Sequence, residues 1–449
     1  MESPAFVPVH PPRTDRLAPV WAAFFGERSR NSIMGWSHAA FDGWYVRRQV
    51  LGMTVHIPRH PDMIEHVLLG NAANYTKPRV VKRLIAPLVG EGLLSADGEL
   101  WRTQRRIVAP TFAPGAVAAL TPLIVAAARA APGGWPDAGT IDIARAATDT
   151  TMAIIADALF SGDPRLKTAT ASRHISNALE AAGSVRLSAI LGLPQIGIRR
   201  TVRLGQQGRV FLRDTLTRIV RERGPTGGDD FLGQMIRDLH ARFPATRATM
   251  LAIDNAATFY VAGHETTANA LTWSVYLLAG DPVAQARARA EAADALVGDP
   301  ATLPDRLPYL RRVLDEALRL YPPAPRFDRE AVAADRLGDH AVAPGDIVSV
   351  WPWLIHRHRR LWEAPDHFDP DRFAPERAEG RHRFQYLPFG AGPRTCVGMR
   401  FAIVEALVIL AHWLAAYRFA LDPAHPVEPV GTVTLRPANG LMLRVETVG

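Results

Sequence analysis

The segment FYVAGHETTANAL (Phe259–Leu271) constrains the fold more than any other stretch. Apolar residues occupy nearly every face of the helix it would form, and the apolar pattern continues to Leu278. A helix that is hydrophobic all round has to be enclosed by other elements, so the chain must build a large core about it. Gly263, Glu265, Thr266 and Thr267 stand out within it, because polar groups buried this deeply need partners. Glycine beside paired threonines loosens the helical ladder and favours a kink where water or a ligand inserts. A capped helix end fits poorly, since the apolar pattern does not stop there.

The surroundings read as mostly helical from about Trp101 to Leu320, broken by loops such as RGPTGGDD. Before them, RRQVLGMTVHI (Arg47–Ile57) alternates about Gly52 like two short strands joined by a turn. PDMIEHVLLG has proline at the first position of a helix and glycine after its end. Beyond Tyr321 prolines are dense, with a strand expected at DIVSVWPW (Asp346–Trp353). A long helix VGMRFAIVEALVILAHWLAAY and a last strand GLMLRVE follow. No repeat, low-complexity tract or Gly/Ser linker divides the chain. The expected fold is mainly α with small β-sheets, a single large domain over residues 1–449. Its parts would be a β-rich stretch at 40–60, a helical body at 61–320 and an irregular C-terminal β part at 321–449.

Cys396 is the only cysteine in 449 residues, which excludes a disulfide framework and thiolate-rich structural zinc. A reducing compartment follows. The net charge of +8 is spread along the chain without a basic tract, so nucleic acid is not the expected partner. An acidic protein would suit such a surface. The N-terminus carries prolines and charges where a signal peptide needs an apolar run, and no uninterrupted apolar stretch of about 20 residues occurs. No transmembrane segment and a cytoplasmic location are expected.

The cysteine lies in FGAGPRTCVG (Phe389–Gly398). Gly390, Gly392 and Gly398 allow tight turns and close approach to a bulky planar group, and Pro393 stiffens the loop. Cys396 sits just before an apolar helix, whose free N–H groups and dipole favour a thiolate. Such a thiolate, with Arg394 nearby to meet an acidic group, suits a haem iron ligand. A buried small hydrophobe and a catalytic nucleophile are the other readings, the latter without a local histidine.

FGAGPRTCVG resembles the haem-binding loop F-x-x-G-x-R-x-C-x-G of the cytochrome P450 family, with Phe389, Gly392, Arg394, Cys396 and Gly398 on patterned positions. AGHETT resembles that family's oxygen-activation motif, which implies catalytic roles for Glu265 and Thr266 in delivering protons to dioxygen, with Ala262 and Gly263 leaving room beside them. DEALRLYPP and FDPDRF resemble its ion-pair helix and the motif that completes it, implying a buried structural triad of Glu316, Arg319 and Arg372. WRTQR matches W-x-x-x-R, so Trp101, Arg105, Arg394 and either Arg329 or Arg326 would contact haem propionates, beside Phe389, Gly390 and Gly398 of the loop. Glutamate before Thr266, where aspartate is commoner, and the lack of an N-terminal anchor are the departures; the second is like soluble bacterial-type members.

The resemblance implies a haem b monooxygenase with axial thiolate from Cys396, the haem lying between the long central helix and the cysteine loop. It would insert one atom of dioxygen into an organic substrate. Phe259, Ala262, Gly263, Ala324, Pro325, Thr432 and Val433 would face that substrate, and their few charges imply an apolar one. SAILGLPQIGI (Ser188–Ile198) is a lid or a packed loop. With no flavin or iron–sulfur domain expected after the cysteine, electrons would come from a separate acidic ferredoxin and its reductase, drawing indirectly on NAD(P)H. Arg102, Arg106 and the Arg394 loop would form its docking face. The rivals are a peroxide-driven variant, a haem sensor without turnover and a cysteine-nucleophile hydrolase. An intact Glu265–Thr266 pair argues against the first two.

Overall fold

The computed structural model describes residues 6–23, 27–183 and 200–448. Its axis is the helix Ala245–Gly280, with almost every residue from Leu251 to Val261 and from Thr267 to Ala279 buried. Helices Ile143–Phe160, Arg200–Arg223, Phe231–His240, Pro308–Leu320 and Met399–Ala416 pack around it. The apolar periodicity therefore marks a helix enclosed on all sides, as its composition requires. Trp273 on this helix stacks on Tyr321, ring centroids 4.0 Å apart, and its indole N–H donates to Leu435 O at 3.1 Å. A fully buried tryptophan is tolerated because its polar atom has that partner.

Several polar residues of the central helix tie it to its neighbours. Asn255 accepts from Leu93 N–H at 2.9 Å, and Asp254 accepts from Glu91 N–H at 2.8 Å while pairing with Arg213. These bonds clamp the chain at Glu91–Leu93 against the helix. The helix is unbroken through the threonines. Thr266 and Thr267 return their hydroxyls to the carbonyls of Ala262 and Gly263, at 2.8 and 3.3 Å. Gly263 has a packing reason as well: a Cβ there would lie 2.7 Å from Ile155 Cδ1 of the neighbouring helix.

Most strands lie before Lys77 or after Leu320, but Ala138–Asp142 falls within the stretch expected to be helical. The strands Tyr45–Val50, Met53–Pro58, Ile347–Val350, Phe327–Ala331 and Tyr75–Thr76 form one sheet in that spatial order. Its first hairpin turns at Leu51 and Gly52, both at positive φ. Ala138–Asp142, Met442–Thr447 and Tyr417–Leu421 form a second sheet, and Pro429–Gly431 pairs with Leu435–Pro437 in a hairpin. The strand expected at Asp346–Trp353 stops at Val350, because Pro352 opens a short helix, Pro352–Ile355. PDMIEHVLLG divides into a helix, Pro61–Glu65, and a wider turn, His66–Gly70.

Among the described residues two helices are long and apolar enough to cross a membrane, Pro114–Gly134 and Met399–Ala416. The second is a core helix, 67% buried over its most apolar window, and the first packs against it with 28% buried. Neither is an uninterrupted apolar run, because Arg129 lies within the first and Arg400 within the second.

Candidate functional site

A cavity of about 380 Å³ lies between the central helix and the cysteine loop. Phe259, Ala262, Gly263 and Thr266 reach it from one helix face, their spacing of three and four residues placing them in line. Phe389, Gly390, Arg394, Cys396 and Gly398 form the facing wall. The loop is held by its own backbone: Cys396 N–H donates to Phe389 O at 2.9 Å and Thr395 N–H to Gly392 O at 3.0 Å. Gly392, at φ +68°, passes so close to Leu68 that a Cβ would fall 1.8 Å from its carbonyl oxygen. Gly398 caps the helix Met399–Ala416.

Desolvation pushes the Cys396 thiol up from its ordinary value, against the smaller effects of the Gly398 N–H and the Arg105 guanidinium, although the residue is exposed where it faces the cavity. Desolvation of a thiolate in an apolar cavity outweighs one backbone donor, and a metal ion bound here would displace the proton. Among the described residues no group of three or more His, Cys, Asp or Glu could hold a metal ion. Cys396 would therefore serve a metal as its one side-chain ligand, which suits iron that brings its other ligands with it.

One edge of the cavity carries Lys77, Arg105, Arg329 and Arg394, with Trp101 under the Arg394 guanidinium at 4.5 Å. Only Arg394 has an ion-pair partner, Asp97, which is shared with Lys82. Burial and the neighbouring Arg329 and Arg394 push Lys77 down to about 7, with Asp97 opposing. Burial and Arg394 push Arg329 down to about 10. Cations crowded this way, three of them without a carboxylate among the described residues, call for an anionic ligand. The donor set thus fits a flat apolar group with acidic arms at one edge and a metal at its centre. Arg326 is turned elsewhere, paired with Asp328 at 3.4 Å and lying over Trp351.

Glu265 is not on the cavity wall, which departs from the expected position of the acid. Its Oε1 accepts a hydrogen bond from Thr434 Oγ at 2.6 Å, and its Oε2 is buried without a partner. The reason is helical geometry: position 265 lies off the stripe that carries 259, 262, 263 and 266. Of the residues expected to face a substrate, Phe259, Ala262, Gly263 and Ala324 line the cavity. Pro325, Thr432 and Val433 do not. Pro325 is buried, its carbonyl accepting the Trp353 backbone N–H at 3.3 Å, and Val433 is 38% exposed at the tip of its hairpin. The segment Ser188–Ile198 lies outside the described residues.

Behind the cysteine loop, Glu316 binds Arg319 through two parallel hydrogen bonds of 2.6 and 2.7 Å, both side chains fully buried. Arg372 approaches Glu316 at 3.4 Å, and Asp369 N–H donates to it at 3.0 Å. The remaining Arg319 donors reach the carbonyls of His356, Pro365 and His367. His356 was not singled out by sequence. Its Nδ1 meets Arg319 O at 3.3 Å and its Nε2 accepts Leu387 N–H at 2.7 Å, two residues before Phe389. Burial, reinforced by Arg319, pushes this histidine down to about 3, so the ring is neutral and Nε2 is free to accept.

Lys77 and Glu405 likewise carry no motif in the sequence. Glu405 lies in the helix after the cysteine, fully buried, with both carboxyl oxygens lacking a well-formed hydrogen bond. Burial holds its carboxyl well above the ordinary range, opposed only by the Thr267 hydroxyl. The folded protein thus keeps a proton that the unfolded chain loses above about pH 4.5. This contribution to stability is complete below that pH and declines as pH rises towards the folded-state value. Glu405→Gln, which cannot ionise, is expected to flatten this decline and to raise stability at neutral pH by about 1–3 kcal/mol. Denaturant unfolding of both proteins between about pH 5 and 8 measures it; parallel pH profiles would contradict it.

A lone thiol on one wall, an apolar slot and a cationic edge define a haem-thiolate type of site. Comparison with known proteins agrees. The sequence profile described as Cytochrome P450 matches residues 11–444. Cyclooctatin synthase of Streptomyces melanosporofaciens is 32% identical over 381 residues, spanning 84% of this chain and 83% of that protein. Cyclooctat-9-en-7-ol 5-monooxygenase of the same organism is 33% identical over 372 residues, spanning 81% and 79%. The crystal structure of cytochrome P450DA heme domain shares the fold, with a TM-score of 0.77 at 24% identity over 90% of each chain. The chain belongs to the cytochrome P450 family and is a cytochrome P450 monooxygenase. Membership brings a haem iron held by a cysteine thiolate.

Proposed function

We propose that this enzyme inserts one atom of dioxygen into an apolar organic substrate, with haem b held by Cys396 and electrons from a separate acidic ferredoxin and its reductase in the cytoplasm. The observation that carries this is the only thiol of the chain facing an apolar cavity across from Thr266. Arg105, Arg329, Arg394 and Lys77 would hold the propionates, and Phe389, Gly390 and Gly398 would pack on the macrocycle. When bound, the haem supplies dioxygen activation and the oxidising power for insertion. The chain supplies the rest. Phe259, Ala262, Ile155, Leu159 and Leu318 exclude water and orient a hydrocarbon surface. A relative whose name specifies cyclooctat-9-en-7-ol as its substrate, an olefinic alcohol, supports a substrate of hydrocarbon character.

Thr266 places its hydroxyl over the cavity, and Glu265 stands next to it in the chain; together they would move protons towards the bound oxygen. Thr266→Ala is expected to retain haem and substrate binding while diverting about tenfold more electrons to peroxide. Peroxide released per NAD(P)H consumed measures it, and unchanged coupling would remove Thr266 from the relay. On the docking face, Arg102 and Arg106 both pair with Glu99, at 3.3 and 2.9 Å, and remain exposed. Such exposed pairs are weak and exchange readily for an acidic partner.

A further inference from the structure

Glu265 and Thr434 are brought together by the fold across most of the C-terminal half of the chain. Thr434 sits in the turn between the paired strands Pro429–Gly431 and Leu435–Pro437 and is 7% exposed. The turn is fixed from three sides. Thr434 O accepts Thr432 N–H at 3.0 Å, Leu435 N–H donates to Pro323 O at 2.9 Å, and Leu435 O accepts the indole N–H of Trp273 at 3.1 Å. The hairpin is therefore tied both to the central helix and to Pro323 on the cavity wall. Its one polar side chain directed at the helix is the Thr434 hydroxyl, which donates to Glu265 Oε1 at 2.6 Å.

The other oxygen, Oε2, is buried and has no partner. A carboxylate oxygen left so is costly, and a buried one is normally bonded. The carboxyl is thus bonded at one end and unpaired at the other, one residue before Thr266, whose own hydroxyl is committed to Ala262 O at 2.8 Å. We propose that Thr434 is the positioning residue of the proton relay: its hydroxyl anchors Oε1 and leaves Oε2 as the oxygen through which protons pass. A proton taken up at Oε2 is released from the same oxygen towards the Thr266 side, so the carboxylate is regenerated and no electrons move. Because the anchor belongs to a hairpin tied to Pro323, the relay is held in register with the cavity wall. This inference rests on Glu265 serving as the acid of the relay.

The test uses the haem-loaded protein and three variants: Thr434→Val, which keeps the shape and removes the hydroxyl, Thr434→Ser, which restores it, and Glu265→Gln. Thr434→Ala replaces the valine variant should that one fail to load haem. The first readout is the infrared carboxylate band that Glu265→Gln abolishes. It is expected to shift in Thr434→Val and to return in Thr434→Ser, which a merely structural threonine would not produce. The second is the solvent deuterium isotope effect on peroxide release, driven by a surrogate ferredoxin and reductase without substrate. Thr434→Val is expected to change it in the direction of Glu265→Gln, with a rate loss of roughly 3–10-fold, and Thr434→Ser to restore it. A band and an isotope effect unmoved in Thr434→Val, while Glu265→Gln alters the isotope effect, would overturn the role of Thr434 alone. An isotope effect unaltered in Glu265→Gln would instead overturn the relay reading, and the inference with it.

Discussion

Glu316→Ala is expected to yield a protein with little or no haem and a stability lower by about 3–5 kcal/mol. Glu316 and Arg319 are both fully buried, and Glu316 alone meets two arginines, Arg319 and Arg372. Removing the carboxylate leaves buried Arg319 without its counter-charge and Arg372 with Asp369 alone, at 3.9 Å, an outcome far worse than losing an exposed pair. The damage travels along a defined route. Arg319 binds the carbonyl of His356, and His356 Nε2 holds the Leu387 N–H at the root of the cysteine loop. Once Arg319 is displaced, the histidine that fixes the loop loses its support. Glu316→Gln should be milder, since its amide oxygen still accepts one bond. The haem-to-protein ratio and the denaturant midpoint measure the effect, and a normally loaded Glu316→Ala protein would contradict it.

Gly392→Ala is expected to disrupt the same loop from the other side. Its φ of +68° is a conformation that costs an L-residue about 1–2 kcal/mol. A greater penalty comes from the 1.8 Å approach of the new Cβ to the Leu68 carbonyl oxygen, a backbone atom that cannot rotate away. The turn at His66–Gly70 or the cysteine loop must shift, and Gly392 O already holds both the N–H and the hydroxyl of Thr395 beside the thiol. A total loss of about 3 kcal/mol or more is expected, with reduced haem retention. Gly380→Ala is the control: its φ is +73° with nothing within 4 Å, so it should show the conformational cost alone. Equal losses in the two variants, by chemical denaturation, would contradict the steric account.

The central helix and the buried triad were legible because each writes its requirement locally. All-round apolarity declares enclosure, and Glu316 three residues before Arg319 declares a shared helix face. The cation edge was only partly legible. Trp101 and Arg105 share a helix, whereas Lys77 comes from a separate segment and carries no pattern; only its burial beside Arg329 and Arg394 reveals it. His356 is similar, since its value lies in two backbone partners, Arg319 and Leu387, far from it in the chain. Glu405 did leave a signal, a lone carboxylate in the apolar run FAIVEALVILAHW, which merits the same weight as Glu265. The turn of Glu265 towards Thr434 could not be read from sequence, because a helix of buried residues does not say which neighbour meets each face. Gly263 carries a related lesson: the glycine is needed for contact with Ile155 as well as for space at the cavity.

The central claim is that Cys396 ligates a haem iron in this cavity. The carbon monoxide difference spectrum of the reduced protein tests it most directly, with Cys396→Ser measured alongside. A Soret band at about 450 nm in the native protein, absent from the serine variant, is the predicted result. Correctly folded native protein that retains no haem, or a band unchanged by Cys396→Ser, would contradict it.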